Sequence, residues 1–205
     1  VICNTIHRRR LDLRPSGDKG ALRNLIECEV FMTKVYFIRH GETSYKFVDE
    51  RGFIGHGRDL AQLTKDGIEQ LKLTSKDKRL LGSEIIVSSP YTRTLQSASI
   101  VSKELNVDIE IDIDLHEWLP DKTFQFRSTQ EALDLYHDFE INKGIYPHES
   151  EKKWETEKSV KLRMKNAIQR YTEYKKIIVV SHGMAIEALT GIHLEHGGIT
   201  EYLCI

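Results

Sequence analysis

The chain of 205 residues has only three cysteines, Cys3, Cys28 and Cys204, and they lie at its two extremes. Such spacing offers neither a disulfide framework nor a paired metal or redox motif, and it suits a reducing, cytoplasmic compartment. A surplus of charge is also missing: 30 Lys and Arg stand against 31 Asp and Glu, a formal net charge of −1. At the level of the whole chain this leaves no footprint for nucleic acid or for an acidic membrane surface, so any anion selectivity must be local. No apolar run approaches the roughly 20 residues that a membrane-spanning helix needs. No apolar segment ahead of a small-residue cleavage site marks a signal peptide, and internal repeats and low-complexity tracts are absent. The length suits one domain of ordinary size, large enough for a sheet covered on both faces.

What the chain does have is two strand-like runs that end alike, Val35-Tyr36-Phe37-Ile38-Arg39-His40-Gly41 and Ile177-Ile178-Val179-Val180-Ser181-His182-Gly183. A β-rich run that stops at a polar residue and a glycine delivers a side chain to the carboxyl end of a parallel sheet, where open α/β folds place ligands. A single His-Gly pair is ordinary turn chemistry. Two of them, each behind a β-branched run, bring two imidazoles to one place. The chemistry that uses such a pair is phosphoryl transfer to histidine, because imidazole titrates near neutrality and is a competent nucleophile without a strong base. Arg39 beside His40 supplies a planar fork of donors for phosphate oxygens.

Five segments carry a family resemblance. Arg39-His40-Gly41-Glu42-Thr43 resembles the leading motif of the histidine phosphatase superfamily, which also contains the cofactor-dependent phosphoglycerate mutases. Leu63-Thr64-Lys65-Asp66-Gly67 is similar to that family's Leu-Thr-x-x-Gly helix start. Ser88-Ser89-Pro90-Tyr91-Thr92-Arg93-Thr94-Leu95-Gln96-Ser97-Ala98 is similar to its Ser-Ser-Pro-x-x-Arg block. Leu115-His116-Glu117 resembles the segment holding its acidic residue, and Ser181-His182-Gly183 its closing histidine motif. The resemblance runs in family order from residue 34 to about 190. It implies a three-layer α/β/α sandwich with a mostly parallel central sheet and a small helical cap insertion, placed here at 118–158. It also implies hydrolysis of a small phosphorylated substrate through a phosphohistidine, with no metal and no organic cofactor.

On that reading His40 attacks phosphorus while Arg39, Arg93 and His182 surround the phosphoryl oxygens, with Thr43 and Lys46 as further substrate contacts. Arg93 lies near a helix start, where unpaired N–H groups and the dipole favour an anion. Glu117 is the expected general acid for the departing alkoxide, with Asp114 as the fallback. Lys46 stands where the family often has asparagine, and as a point charge it lacks an amide's acceptor. After Glu117 the chain reads Trp118-Leu119-Pro120-Asp121 in place of the Arg-His-Tyr-Gly of the mutases, which favours hydrolysis. Three alternatives remain open: a mutase-type phosphotransferase, a phosphohistidine protein phosphatase, and a non-catalytic module that binds a phosphorylated ligand. His193 and His196 have helix-compatible spacing but no accompanying acids or cysteines, so no metal is assigned.

Strands are expected at 34–38, 84–88, 107–113 and 176–181, with an edge strand at 200–205. Helices are expected at about 64–80, 90–105, 129–140 and 156–174, and a short one after Gly183. Thr64 is placed as a helix cap and Pro90 at a first helical position. The glycine-bearing segment 47–58, with Arg51, His56 and Arg58, is expected to line the mouth of the site. Residues 1–31, rich in arginine and turn formers, are expected to be an appendage, either disordered or upstream translated sequence, with the domain at 32–205. The competing expectation is a docking helix over Ala21–Phe31.

Overall fold

The computed structural model describes residues 32–147 and 150–204. The expected appendage, its alternative docking helix, Cys3 and Cys28 lie outside them. In chain order the elements are β1 (Thr33–Arg39), β2 (Thr43–Ser44), α1 (Lys46–Glu50), β3 (Gln62–Leu63) and α2 (Lys65–Thr74). Then come β4 (Ile85–Ser88), α3 (Thr92–Leu105), β5 (Ile109–Ile111) and α4 (Thr129–Ile141). The chain closes with α5 (Glu157–Gln169), β6 (Lys176–Ser181), α6 (Gly183–Thr190) and β7 (Ile199–Cys204).

Successive residues of a strand face opposite sides of a sheet, and the central strands here are apolar on both, as a sheet covered twice requires. Val35, Phe37, Val87, Ile177 and Val179 pack on one side with α5 and α6, through Met164, Ile168 and Ile186. Tyr36, Ile38, Ile86, Ile178 and Val180 pack on the other, with Leu71 of α2 and Ala98 and Val101 of α3. The strand order is β5-β4-β6-β1-β7, parallel except for the antiparallel edge strand β7. The result is a three-layer α/β/α sandwich. No helix among the described residues is long and apolar enough to cross a membrane.

Local chemistry moves several boundaries from their expected places. Thr64 caps α2 by accepting from the Gly67 N–H at 2.9 Å, but the helix ends at Thr74 and a separate 3-10 turn spans Lys78–Leu80. Helix α3 starts at Thr92 behind Tyr91, so Pro90 stands before the helix instead of at its first position. Strand β5 is short because β4 offers it only Ile86, Val87 and Ser88 as partners. Beyond it Asp112 caps a 3-10 turn by accepting from the Asp114 N–H. The 47–58 segment is structured, by α1 and by a 3-10 turn over Gly55–Leu60. His193 and His196 are in a loop, since Gly191 at φ 71° ends α6 in the left-handed conformation.

Between β5 and α5 the chain makes its cap excursion, in which α4 starts at a Ser128 cap and buries no residue fully. Its aromatic residues mostly pack on each other. Trp118 and Trp154 meet Phe139 edge to face at 5.1 and 5.3 Å, and Tyr146 meets Trp154 at 5.0 Å. This cluster continues the α5/α6 core and fixes the cap to the sandwich.

Candidate active site

Parallel pairing decides where the two histidines go. Arg39 of β1 is in register with Ser181 of β6, and the ladder runs one step further, with the His40 N–H donating to the Ser181 carbonyl at 3.1 Å. His40 and His182 therefore leave adjacent strands at the same level, and their buried rings stand 5.2 Å apart, edge to face. On the other side of β6, the Ser89 N–H donates to the Val180 carbonyl. That places the Ser89 hydroxyl 2.8 Å from His182 Nε2. Three neighbouring strand ends thus deliver His40, His182 and Ser89 to one crevice at the carboxyl edge of the sheet.

His40 is held in one tautomer. Its Nδ1 lies 2.8 Å from the Gly41 carbonyl, so Nδ1 carries the proton and Nε2 keeps its lone pair. The Thr43 hydroxyl donates to the same carbonyl at 3.1 Å and sits 3.3 Å from Nδ1. Burial, reinforced by the Arg93 charge, pushes the His40 pKa well below its ordinary value, so the ring is neutral at physiological pH. The glycine after it is required by packing: a Cβ on Gly41 would run into the Gly67 carbonyl, and one on Gly67 into that of Glu42. These backbones touch because the Thr64 N–H donates to the Glu42 carbonyl and the Thr64 hydroxyl to the Glu42 carboxylate at 2.6 Å.

Around the imidazoles is a set of buried donors. Arg39 is fixed by its terminal nitrogens, one donating to the Leu194 carbonyl at 2.6 Å and the other 3.3 Å from His196 Nε2. Arg93, the second residue of α3, is buried and donates to Asp59 at 3.2 Å. Four buried side-chain polar atoms among the described residues have no hydrogen-bond partner, and three are here: Arg39 Nε, Arg93 Nε and His182 Nδ1. Native proteins rarely leave such groups unpaired, and three of them concentrated in one crevice are able to donate to an anion there. Burial, with Arg93 next in importance, also drives the His182 pKa well down, so without an anion that ring is neutral, not protonated.

Glu117 closes the crevice from the cap side. Its Oε1 accepts from the Trp118 N–H at 2.8 Å and from the Ala185 N–H, in the first turn of α6, at 3.1 Å. Burial raises its pKa in spite of these bonds and of the Arg93 charge. The neighbouring acids are engaged elsewhere. Asp112 and Asp114 both pair with Arg170, at 2.6 and 2.8 Å, and Asp121 accepts from Thr123. The fallback acid Asp114 is therefore turned away from the two histidines. Among the described residues no group of three or more His, Cys, Asp or Glu is arranged to hold a metal ion.

The sequence model of the histidine phosphatase superfamily, branch 1, matches residues 35–201. The chain belongs to this family. A putative phosphoserine phosphatase 2 of Hydrogenobacter thermophilus is 27% identical over 190 residues, covering 83% of this chain and 89% of that protein. A probable phosphoglycerate mutase of Salmonella paratyphi C is 36% identical, over only 86 residues, 42% of this chain and 38% of its own. Among solved structures, mycobacterial glucosyl-3-phosphoglycerate phosphatase superposes with a TM-score of 0.64 at 17% identity, covering 83% of this chain and 89% of that one. That last likeness is one of fold.

Within this histidine phosphatase the expected site residues separate into two groups. His40, His182, Arg39, Arg93, Glu117 and Thr43 meet at the crevice. Lys46 does not: its side chain is 81% exposed and its ammonium lies 3.9 Å from Glu50, on the outer side of α1. Its neighbour Tyr45 instead lines a cavity that adjoins the crevice at Arg93 and Glu117. The helical turn of α1 swings the one residue outward and the other inward. Arg51 is stacked on Phe47 and His56 on Phe124, so of the three basic residues in 47–58 only Arg58 is in the cavity wall. Asp59, Ser89, Arg163 and His196 escape sequence reasoning because their partners are distant in the chain. Ser89 alone carried a signal, its place between β4 and Pro90.

Proposed function

We propose that this histidine phosphatase hydrolyses small phosphomonoesters through a covalent phosphohistidine on His40. His40 Nε2 attacks phosphorus as the ester P–O bond breaks, and Glu117 gives its proton to the departing alkoxide. Water then attacks the phosphohistidine, its proton passes to the Glu117 carboxylate, the N–P bond breaks and inorganic phosphate leaves. Arg39, Arg93 and His182 hold the phosphoryl oxygens through the three unpaired nitrogens, where charge accumulates in the transition state. The observation that carries this reading is the tautomer of His40, locked by Gly41 so that an unprotonated Nε2 stands among those donors. Hydrolysis, as against phosphoryl return, is supported by the phosphatase-named relative matching along most of the chain while the mutase matches less than half.

The test is to incubate the protein with a labelled phosphomonoester, quench rapidly and look for label held in an acid-labile, alkali-stable bond. The adduct is expected in the wild type and absent in His40→Ala. Turnover by His40→Ala at the wild-type rate overturns the mechanism, and phosphoryl transfer between the positions of phosphoglycerate favours the mutase.

A further inference from the structure

The cavity next to the crevice, of about 240 Å³, is where the rest of the ester goes, and its wall is mostly hydrocarbon. Tyr45, Tyr91, Trp118, Leu119, Phe124 and Phe126 line it, with Arg93 and Glu117 at its inner end. Its other charges are spent. Arg58 pairs with Asp49 at 2.8 Å and donates to Thr129 at 2.6 Å, and Asp59 is engaged by Arg93. A carboxylate entering here would meet Asp59 and, among the described residues that line the cavity, no cation left unpaired once Arg93 holds the phosphoryl group. A cavity of about 150 Å³ with apolar walls admits benzene, so this one has room for a ring and a short linker.

The turn that presents two of these rings is built at a cost. Phe124 holds φ 57°, a left-handed conformation that is strained for a bulky residue. Three contacts enforce it: the Phe124 N–H donates to the Asp121 carbonyl, the Gly55 N–H donates to the Phe126 carbonyl, and the His56 ring stacks on Phe124 at 3.7 Å. A Cβ on Gly55 would collide with the Phe124 carbonyl, so the mouth loop and the cap turn fit closely only with glycine there. Such strain, held from both sides, places aromatic surface over the cavity.

We infer that the preferred substrate is a phosphomonoester whose leaving group is largely apolar, of about one ring, and carries no carboxylate, and so is not an amino acid or a sugar acid. This rests on the phosphatase reading and departs from what the name of the Hydrogenobacter relative suggests. The experiment compares kcat/KM for 2-phenylethyl phosphate, O-phosphoserine and 3-phosphoglycerate, all alkyl esters of poor leaving groups. The first is expected to exceed each of the others at least tenfold, and Phe126→Ala to shrink that preference at least fivefold. An equal or reversed order, or a preference untouched by Phe126→Ala, overturns the inference.

A binding arm separates this failure from failure of the phosphatase reading. The non-hydrolysable 2-phenylethylphosphonate and 2-carboxyethylphosphonate are titrated into the wild-type chain by tryptophan fluorescence. At least tenfold tighter binding of the phenyl compound is expected even if no ester turns over, in which case hydrolysis falls and the apolar subsite stands. Equal affinity, or no binding of either, removes the subsite.

Discussion

Arg163 of α5 donates to the main-chain oxygen of Glu117 at 3.1 Å, and the same guanidinium holds both oxygens of Glu155 at 2.9 Å. Its remaining nitrogen donates to the carbonyls of Asp114 and His116 at 2.8 and 2.7 Å. One planar fork therefore ties the whole segment from β5 to the proposed acid onto α5. A segment with only one 3-10 turn of regular structure needs such bonds to hold a carboxyl within reach of a reacting oxygen.

Removing Arg163 should accordingly cost both stability and the acid's position. Both partners of the Arg163–Glu155 pair are largely buried, and breaking a buried pair from one side costs about 3–5 kcal/mol. Arg163→Lys keeps the charge without the fork, so it should fold while losing roughly tenfold or more in kcat on alkyl phosphates, with little loss on activated aryl phosphates that leave unprotonated. Steady-state kinetics on the two ester classes checks this. A uniform loss on both would make Arg163 purely structural.

The directions of the His40 and Glu117 pKa shifts fix the pH dependence of kcat/KM. His40 must be neutral, and its lowered pKa moves the acid limb below the ordinary histidine range. Glu117 must be protonated, and its raised pKa moves the alkaline limb above the ordinary carboxylate range. On alkyl esters the Glu117 limb should be present in the wild type and missing from the residual activity of Glu117→Gln. The substrate's own ionisation is common to both proteins and cancels in the ratio of their profiles. An alkaline limb that survives in Glu117→Gln would assign it to another group.

Anion binding should separate the arginines from Lys46. Arg93→Ala removes a buried donor from the crevice and is expected to weaken vanadate or phosphate inhibition at least tenfold, in line with the loss of a charge-assisted hydrogen bond of about 1.5–3 kcal/mol. Lys46→Ala removes a solvated side chain and should change the inhibition constant less than twofold. A comparable loss for Lys46→Ala would mean that α1 rearranges when the anion binds.

The layers of the fold were legible because the information is local. Val35-Tyr36-Phe37-Ile38 and Ile177-Ile178-Val179-Val180 are apolar at every position, which only a sheet covered on both faces accommodates. His40 and His182 were legible for the same reason, each being the second polar residue after its run and standing directly before a glycine. The facing of Tyr45 and Lys46 depended on the one-turn helix α1, which no periodic pattern announces. Arg163 was invisible because the carbonyls it holds lie 46 to 49 residues away in the chain. Arg58 could be placed at the mouth, but that it is spent on Asp49 and Thr129 follows only from tertiary packing.

The strongest expected conflict between function and stability is at Glu117. Its folded pKa is raised by burial, so the stability tied to it is present below the unfolded pKa and is lost as pH rises through the folded value. Above the folded value the native chain carries a half-buried carboxylate that the unfolded chain would solvate. Glu117→Gln keeps an oxygen for the Trp118 and Ala185 N–H groups without the charge. The variant should therefore be more stable than the wild type at about pH 8 and indistinguishable from it near pH 4, where the wild-type carboxyl is protonated. For a domain of this size each kcal/mol relieved raises Tm by roughly 2–4 °C, within reach of calorimetry. A Tm difference independent of pH, or a less stable variant at about pH 8, would show that the ionised Glu117 is not a burden to the fold and would undercut its assignment as an acid held protonated by burial.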